Sequence, residues 1–157
     1  MPREPALFLD RDGVLIEDSG YVYRPEDVVW TPGAQEALRS WREAGFRIIV
    51  VTNQSGVARG FFDEAAVLRL HAWMNQQLGG AIDAFYYCPH GPDSTCDCRK
   101  PKPGLFLRAI AEHNLDPKRS LAVGDSARDL DAAEGAGVRG VLYPGGNLAE
   151  FLKAYLP

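Results

Sequence analysis

The chain has 157 residues, 46% of them hydrophobic and 24% charged, and a formal net charge of −4 at pH 7. This length favours one domain over residues 1–157, and the acidic balance argues against a general nucleic-acid-binding protein, which would usually be basic. No apolar run approaches the roughly 20 residues of a membrane span, and no signal-peptide core precedes the first strand. We therefore expect a cytoplasmic monomer with no membrane or nucleic-acid partner.

The first predicted strand, residues 6–9, runs into two carboxylates. Asp10 follows it, and Asp12 and Gly13 come next. Ligands of open α/β sheets bind beyond the carboxyl ends of the strands, so two acids there could hold a divalent cation or divide the roles of nucleophile and general acid. A calcium loop is disfavoured because its later ligand positions are not acidic. A solvated turn is the structural alternative.

Downstream, apolar β-rich runs alternate with helical patterns after an irregular stretch at 16–31. Further strands are predicted at 46–51, 84–88, 120–124 and 138–143. Helices are predicted between Gly33 and Gly45, from Asp63 to Met74 with Leu68 in the apolar pattern, at 104–113, at 127–136 and at 148–155. This alternation predicts βαβ units and a mostly parallel α/β sheet.

The second predicted strand is followed by a polar stretch, Thr52-Asn-Gln-Ser-Gly56. A hydroxyl and a run of backbone N–H groups at the end of a strand suit a phosphate group. The same residues are also good turn formers, so the pattern alone does not separate a phosphate site from a turn.

The fourth predicted strand ends in Gly124-Asp125, and Asp129 comes one helical turn later. Two strands that deliver carboxylates to one crevice make the arrangement that a magnesium site needs. The alternative is a helix N-cap formed by Asp125 or Ser126, with acids favoured by the helix dipole.

Three cations, Arg99, Lys100 and Lys102, stand shortly before the third predicted helix among prolines. They could neutralise a phosphate, with Lys100 as a point charge. A solvated basic turn is the alternative.

All three cysteines lie within eleven residues, together with one histidine, in the pattern Cys88-x-His90 and Cys96-x-Cys98. Three thiolates and one imidazole complete a tetrahedral zinc shell with no open position, as a structural site requires. Free buried thiols or a chance disulfide are the alternative. The other histidines, His71 and His113, lie on helical patterns and are interpreted as packing or surface residues.

In this order, Asp10-Arg-Asp12-Gly, Thr52-Asn53, Lys100 and Gly124-Asp125 resemble the motifs of the haloacid dehalogenase superfamily of phosphohydrolases. The stretches 52–60 and 88–100 are similar to the branch that contains heptose bisphosphate phosphatases and histidinol-phosphate phosphatases. The resemblance implies a Rossmann-like sheet with helices on both faces, no large cap domain and a small zinc-binding loop.

The resemblance also implies the chemistry. Asp10 would be the nucleophile that becomes an aspartyl-phosphate, and Asp12 the general acid and then the base. Magnesium would be held by Asp10, by the backbone carbonyl of Asp12 and by Asp125. Zinc would have only a structural role.

By the same resemblance, the substrate would be a small phosphorylated metabolite, with a heptose 1,7-bisphosphate cleaved at C7 as the leading choice and histidinol phosphate as its rival. A zinc-stabilised module that binds phosphorylated ligands without turnover is the alternative from another class. The residues implied to bind phosphate or substrate are Thr52, Asn53, Arg59, Arg99 and Lys100.

Overall fold

A computed structural model describes residues 2–157. Its centre is a sheet of five parallel strands. They are Ala6–Leu9 (β1), Arg47–Asn53 (β2), Ala84–Cys88 (β3), Leu121–Gly124 (β4) and Arg139–Leu142 (β5). Their order in the sheet is β3-β2-β1-β4-β5, so the first strand is the middle one, with β2 and β4 as its neighbours.

Five α-helices connect and cover these strands, so the expected mostly parallel α/β sheet is confirmed. Two short 3-10 turns, Pro25–Asp27 and Pro117–Arg119, lie in the connections. Within residues 2–157 no connection contains a larger inserted unit, as expected for a chain without a large cap domain. The helices are Ala34–Glu43 (α1), Glu64–Gln77 (α2), Gly104–His113 (α3), Ala127–Gly135 (α4) and Leu148–Lys153 (α5).

The two faces of the sheet pack into separate hydrophobic cores because alternate residues of a strand point to opposite sides. In β1, Leu7 and Leu9 face a core that contains residues of α1, α2 and α5. Ala6 and Phe8 face a second core built with α3 and α4. Helices thus cover both faces, and the central strand is buried along its whole length.

Several element ends and one apolar position differ from the sequence prediction. β2 runs to Asn53 and not to residue 51, so Thr52 and Asn53 belong to the strand, and α2 continues to Gln77. The last strand and the last helix are shorter than the predicted 138–143 and 148–155. Leu68, which was placed in the apolar pattern of α2, is 56% exposed, whereas Val67 and Leu70 are buried. A cluster of apolar residues at near-helical spacing can be wider than the face that the sheet covers.

The register brings the strand ends that carry polar residues to one edge. Leu9 is paired with Val50 of β2 and with Val123 of β4. Because the three strands are parallel, the residues that follow them emerge side by side.

Within residues 2–157 no helix is both long and apolar enough to cross a bilayer.

Candidate active site and thiol cluster

Asp10 lies in the middle of this edge, directly after β1. Its backbone N–H donates to the carbonyl oxygen of Val123 at 3.1 Å. Its Oδ1 accepts hydrogen bonds from the backbone N–H of Arg11 at 2.9 Å and from Nζ of Lys100 at 3.0 Å. Burial raises the pKa of Asp10 to about 7, although Lys100 acts in the opposite direction. The carboxylate is thus held rigidly at the end of the strand.

Lys100 is the cation of this site, and all three of its ammonium protons have acceptors. Nζ contacts Asp10 Oδ1 at 3.0 Å, Asp129 Oδ1 at 2.6 Å and the carbonyl oxygen of Val51 at 2.8 Å. Burial alone would lower the pKa of Lys100, but the charges of the two carboxylates outweigh it and the pKa is raised. Lys100 therefore carries a fixed positive charge beside Asp10.

Carboxylate oxygens of Asp10, Asp125 and Asp129 lie within 4.8 Å of one another. Burial, followed by the charge of Asp129, raises the pKa of Asp125. Three acids and one lysine leave an excess of two negative charges, which a divalent cation would balance. Oxygen donors in this number and proximity suit Mg²⁺.

Gly13 makes this cluster possible. Its φ is +93°, a left-handed conformation, and a Cβ at this position would collide with the carboxylate of Asp125. A side chain there would be both strained and in the place of a carboxylate. The glycine after the two acids is therefore required by the close approach of β4's acid to the turn after β1.

Asp129 has a different role from the other two acids. Its Oδ1 contacts Lys100, while Oδ2 accepts from the backbone N–H groups of Asp125 and Ser126 and from the Ser126 hydroxyl. Ser126 is the N-cap of α4 and forms a capping box with Asp129. The N-cap alternative was thus right for Ser126, and Asp129 links the helix start to the lysine.

Asp12 points into the same cleft from the turn after β1. Its Oδ2 accepts a hydrogen bond from Nε2 of Gln54 at 3.0 Å. Its Oδ1 accepts from the guanidinium of Arg11, with Nε at 3.1 Å and Nη2 at 3.0 Å. Both oxygens are therefore oriented by neighbours before any substrate arrives.

The polar stretch at residues 52–56, which begins inside β2 and continues past its end at Asn53, supports two other parts of the site. Thr52 is buried, and its hydroxyl oxygen accepts from Nε2 of Gln54 at 2.9 Å. The amide of Asn53 holds the backbone of Lys100, accepting from its N–H at 3.0 Å and donating to its carbonyl at 3.2 Å. The Asn53 side chain is therefore engaged with the loop that carries the lysine, at the wall of the cleft.

These groups line an open cleft of about 440 Å³, within the range of small-molecule sites. Arg59 and Arg99, predicted from the resemblance, both lie on its lining, and so does Arg128. Arg59 stacks over the ring of Tyr21 at 5.9 Å, and Nη1 of Arg99 donates to the carbonyl oxygen of His90 at 3.2 Å. Three guanidinium side chains thus line the same cleft as the carboxylates.

The second predicted cluster lies beside this cleft. Nδ1 of His90 is 3.4 Å from Sγ of Cys88 and 3.3 Å from Sγ of Cys98, and the sulfurs of Cys88 and Cys96 are 3.7 Å apart. A tetrahedral zinc shell has S–S edges of about 3.8 Å and S–N edges of about 3.6 Å. Only the 2.8 Å between the sulfurs of Cys88 and Cys98 is clearly shorter. The four side chains fit a closed zinc site.

The thiols of this cluster differ in acidity. Burial raises the pKa values of Cys88 and Cys98. A hydrogen bond from Ser94 is the main reason that the pKa of Cys96 falls to about 6. Because zinc binds thiolates, Cys96 is the thiol from which the ion would displace a proton most easily.

Sequence reasoning did not identify Gln54, Arg11 or Arg128 as parts of the site. Gln54 stands inside the polar stretch that was singled out, and Arg128 precedes Asp129 in the helix after β4. Proximity to a motif was thus a usable signal for both. Arg11 stands inside the Asp10-Arg-Asp12 motif, but a cation between two acids is usually a solvated turn residue, so its position did not indicate a buried contact.

In a comparison with known proteins, the family model of haloacid dehalogenase-like hydrolases matches residues 14–137. The chain is 46% identical over 144 residues to the D-glycero-beta-D-manno-heptose-1,7-bisphosphate 7-phosphatase of Haemophilus ducreyi, covering 85% of this chain and 79% of the relative. It is 42% identical over 165 residues to the protein of the same name from Rhodopseudomonas palustris, covering 99% of this chain and 92% of that one.

Among solved structures, the chain is similar to the D,D-heptose bisphosphate phosphatase from B. bronchiseptica complexed with magnesium and phosphate. The TM-score is 0.84 at 39% sequence identity, and the match covers 98% of this chain and 88% of the other. A HAD-like protein from Mesorhizobium loti matches with a TM-score of 0.81 at 33% identity, covering 98% of this chain and 87% of that chain.

Proposed function

The chain belongs to the haloacid dehalogenase-like hydrolases, and from this membership we propose that it hydrolyses phosphate monoesters with magnesium through an aspartyl-phosphate on Asp10. The observation that carries the proposal is the Asp10 carboxylate, fixed between Lys100 and the acids that follow β4. A carboxylate held in this way can attack phosphorus with little reorganisation.

In the first step, Asp10 attacks the phosphoryl group and Asp12 protonates the oxygen of the leaving alcohol. In the second step, Asp12 takes a proton from the water that hydrolyses the aspartyl-phosphate. Lys100 keeps its proton in both steps because Asp10 and Asp129 raise its pKa. It therefore offers a permanent charge to the phosphoryl oxygens, while the Thr52 hydroxyl offers a hydrogen bond.

Two metals complete the proposal. Asp10, the backbone carbonyl of Asp12 and Asp125 would hold magnesium, which, when bound, neutralises phosphate oxygens and favours the ionised form of the nucleophile. Cys88, His90, Cys96 and Cys98 would hold a structural zinc ion with no place for water or phosphate. The zinc loop continues directly into Arg99 and Lys100, so it would hold both cations in position.

The proposed substrate is a sugar with two phosphate groups, a heptose 1,7-bisphosphate that is cleaved at C7. Relatives at 42–46% identity carry this activity in their names. The cleft supports it, because Arg59, Arg99 and Arg128 line it together with the acids. Guanidinium groups suit the bidentate binding of an uncleaved phosphate. They would repel the ammonium group of histidinol phosphate.

The test has two stages. Wild-type protein is first incubated with p-nitrophenyl phosphate, with magnesium and after chelation. Values of kcat/KM are then measured by phosphate release for the heptose 1,7-bisphosphate, the heptose 7-phosphate and histidinol phosphate. We expect magnesium-dependent turnover, with the bisphosphate as the best substrate.

Each stage can fail separately. If no ester releases phosphate in the presence of magnesium but the protein binds the bisphosphate, the protein would be a non-catalytic binding module and not an enzyme. Turnover that is highest with histidinol phosphate would keep the phosphatase and overturn the substrate.

A further inference from the structure

Arg11 lies between the two proposed catalytic acids in the sequence, yet it is completely buried. Its guanidinium donates to the carbonyl oxygen of Val22 at 2.7 Å, to Asp12 Oδ1 through Nε and Nη2, and to His71 through Nη1. A buried guanidinium needs acceptors for its N–H groups. Here the acceptors come from the turn after β1, from the loop at Val22 and from α2.

His71 is the least expected of these acceptors. Its Nε2 lies 3.2 Å from Nη1 of Arg11, and its ring stacks on Phe85 with centroids 4.4 Å apart. A guanidinium can only donate, so Nε2 accepts and the proton of the neutral ring is on Nδ1. Burial, followed by the charge of Arg11, lowers the pKa of His71 to about 3, so the ring stays a neutral acceptor.

The histidine is retained at a cost. Nδ1 is buried and has no hydrogen-bond partner within residues 2–157. A buried N–H without an acceptor is unfavourable, and an aromatic hydrocarbon could stack on Phe85 without that penalty. What the hydrocarbon could not do is accept a hydrogen bond from Arg11. The position therefore serves the guanidinium rather than the packing alone.

The contacts of Asp12 show what the guanidinium achieves. Oδ1 accepts two N–H groups from Arg11, and a carboxylate oxygen offers about two lone-pair sites. Oδ2 accepts only from Nε2 of Gln54 among residues 2–157. The remaining site for a proton is therefore on Oδ2.

We propose that Arg11, held in place by His71, is a positioning residue that makes Oδ2 of Asp12 the proton-bearing oxygen of the general acid. The inference rests on the proposed phosphatase activity. In the step concerned, the bond from Asp10 to phosphorus forms as the phosphorus–ester oxygen bond breaks. The Oδ2–H bond breaks at the same time, and its proton passes to the departing oxygen, so that an alcohol leaves and Asp12 remains as carboxylate.

A misplaced general acid has a specific kinetic signature. An alkyl alcohol is a poor leaving group and needs the proton, whereas p-nitrophenolate leaves readily without it. The value of kcat/KM reports steps up to the first irreversible one, here the formation of the aspartyl-phosphate. The ratio of kcat/KM for an alkyl ester to that for p-nitrophenyl phosphate therefore measures the contribution of the general acid to catalysis. A general loss of folded protein lowers both values equally and leaves this ratio unchanged.

The test uses His71→Phe, which keeps a stacking ring but removes the acceptor, and His71→Gln, whose amide oxygen can replace Nε2. The alkyl substrate is the primary phosphate that the wild type hydrolyses fastest. General acids contribute about 10²–10⁴-fold, so partial misplacement in His71→Phe should lower kcat/KM for the alkyl ester by about 10-fold or more. The value for p-nitrophenyl phosphate should stay within about 3-fold, and His71→Gln should recover most of the alkyl activity.

Two further variants guard the interpretation. Leu38→Ala removes a buried side chain of α1, on an element that contributes no residue to the cleft, and should lower stability without changing the ratio. Arg11→Lys keeps the positive charge but loses the paired hydrogen bonds from Nε and Nη2 to Asp12 Oδ1. If His71→Phe does not fold, Arg11→Lys should show the same selective loss of kcat/KM for the alkyl ester.

The outcomes separate the two proposals. A wild type that hydrolyses neither ester would overturn the proposed function. A wild type that hydrolyses both, with variants of His71 and Arg11 that lower both values equally, would overturn the positioning role alone. Failure of His71→Gln to recover more alkyl activity than His71→Phe would also count against the role of the acceptor.

Discussion

Two clusters of metal-binding side chains lie at the same edge of the sheet, and they are assembled in different ways. The carboxylate cluster draws on the ends of β1 and β4 and on α4, so Asp10 is more than a hundred residues away in sequence from Asp125 and Asp129. The thiol cluster comes from residues 88–98 alone, at the end of β3 and in the loop that follows. The first depends on the whole sheet, the second on one loop.

The clusters also differ in charge and completeness. The carboxylates share their space with a buried lysine, and the pKa of Asp10 is raised to about 7. Their donor set is open toward the cleft. The three thiols and one imidazole already make the four donors of a closed shell. An open coordination position is typical of a catalytic metal site, whereas a closed set of four protein donors is typical of a structural one.

The two clusters are joined by the chain itself, because Arg99 and Lys100 directly follow Cys98. Lys100 is held at its backbone by Asn53 and at its ammonium by Asp10 and Asp129. Lys100 therefore belongs to the carboxylate cluster by its contacts and adjoins the thiol loop along the chain. Breaking one cluster at a time should show how far each depends on the other.

The largest effect should come from Asp10→Asn, which removes the proposed nucleophile and leaves the thiol cluster intact. We expect turnover to fall on the order of 10⁴-fold or more, the scale of loss when the nucleophile of a covalent mechanism is removed. The measurement is kcat with magnesium for the best substrate, with zinc content and the thermal unfolding midpoint as controls. Substantial residual kcat in a folded, zinc-loaded variant would contradict the covalent mechanism.

Asp12→Asn sharpens the comparison within the carboxylate cluster. The amide can still bond with Gln54 or Arg11 but cannot donate an acidic proton to the leaving alcohol. We expect kcat to fall about 10²–10⁴-fold, the usual contribution of general acid–base catalysis. Gln35→Glu, an exposed change on α1 that also exchanges an amide and a carboxyl group, is the matched control. Unchanged kcat on an alkyl phosphate would rule out Asp12 as the acid.

Loss of the thiol cluster should act on stability first. Protein purified without added zinc should contain about one equivalent, as one four-ligand site implies. A ligand present at 100 times its Kd stabilises by about 2.7 kcal/mol, and 1 kcal/mol shifts Tm by about 2–4 °C at this size. We therefore expect Cys98→Ser to lower Tm by about 5–10 °C.

The control for this change is Asp93→Asn, in the same loop but outside the cluster. It should keep both zinc and Tm. The activity of Cys98→Ser should fall as well, because the loop no longer holds Arg99 and Lys100. Full activity and unchanged Tm in metal-free protein would refute the structural role of the cluster.

The same contrast explains what the sequence could predict. Spacing within eleven residues was enough to propose the whole thiol cluster, because its members are joined by a short loop. Asp10 and Asp125 of the other cluster could be proposed only by placing each at a strand end of one parallel sheet. Asp129 could be proposed only by its spacing of one helical turn from Asp125. The order of the strands was not predicted, and neither was the pairing of Asp129 with Lys100.

The burial of the Arg11 charge could not be predicted from the sequence, and the reason is physical. The acceptors of Arg11 include Val22, eleven residues away, and His71, sixty residues away. Nothing near Arg11 in the sequence indicates that these groups surround it. Helices and strands were predictable from local periodicity, whereas polar contacts between distant elements depend on the completed fold.

The smallest effect concerns Arg99, a residue on the lining of the cleft. Arg99 follows the last thiol ligand and lines the cleft next to the lysine. If it binds the phosphate that is not cleaved, Arg99→Ala should lower kcat/KM for the heptose bisphosphate by about 10-fold, since hydrogen bonds to charged groups contribute about 1.5–3 kcal/mol. The kcat/KM for the heptose 7-phosphate should fall little, so the ratio of kcat/KM for the bisphosphate to that for the 7-phosphate should decrease. Arg39→Ala removes an exposed charge from α1, away from the cleft, and should change neither value. An equal loss for both substrates in Arg99→Ala would assign the arginine to the reacting phosphate or to the loop, and the second-phosphate role would be wrong.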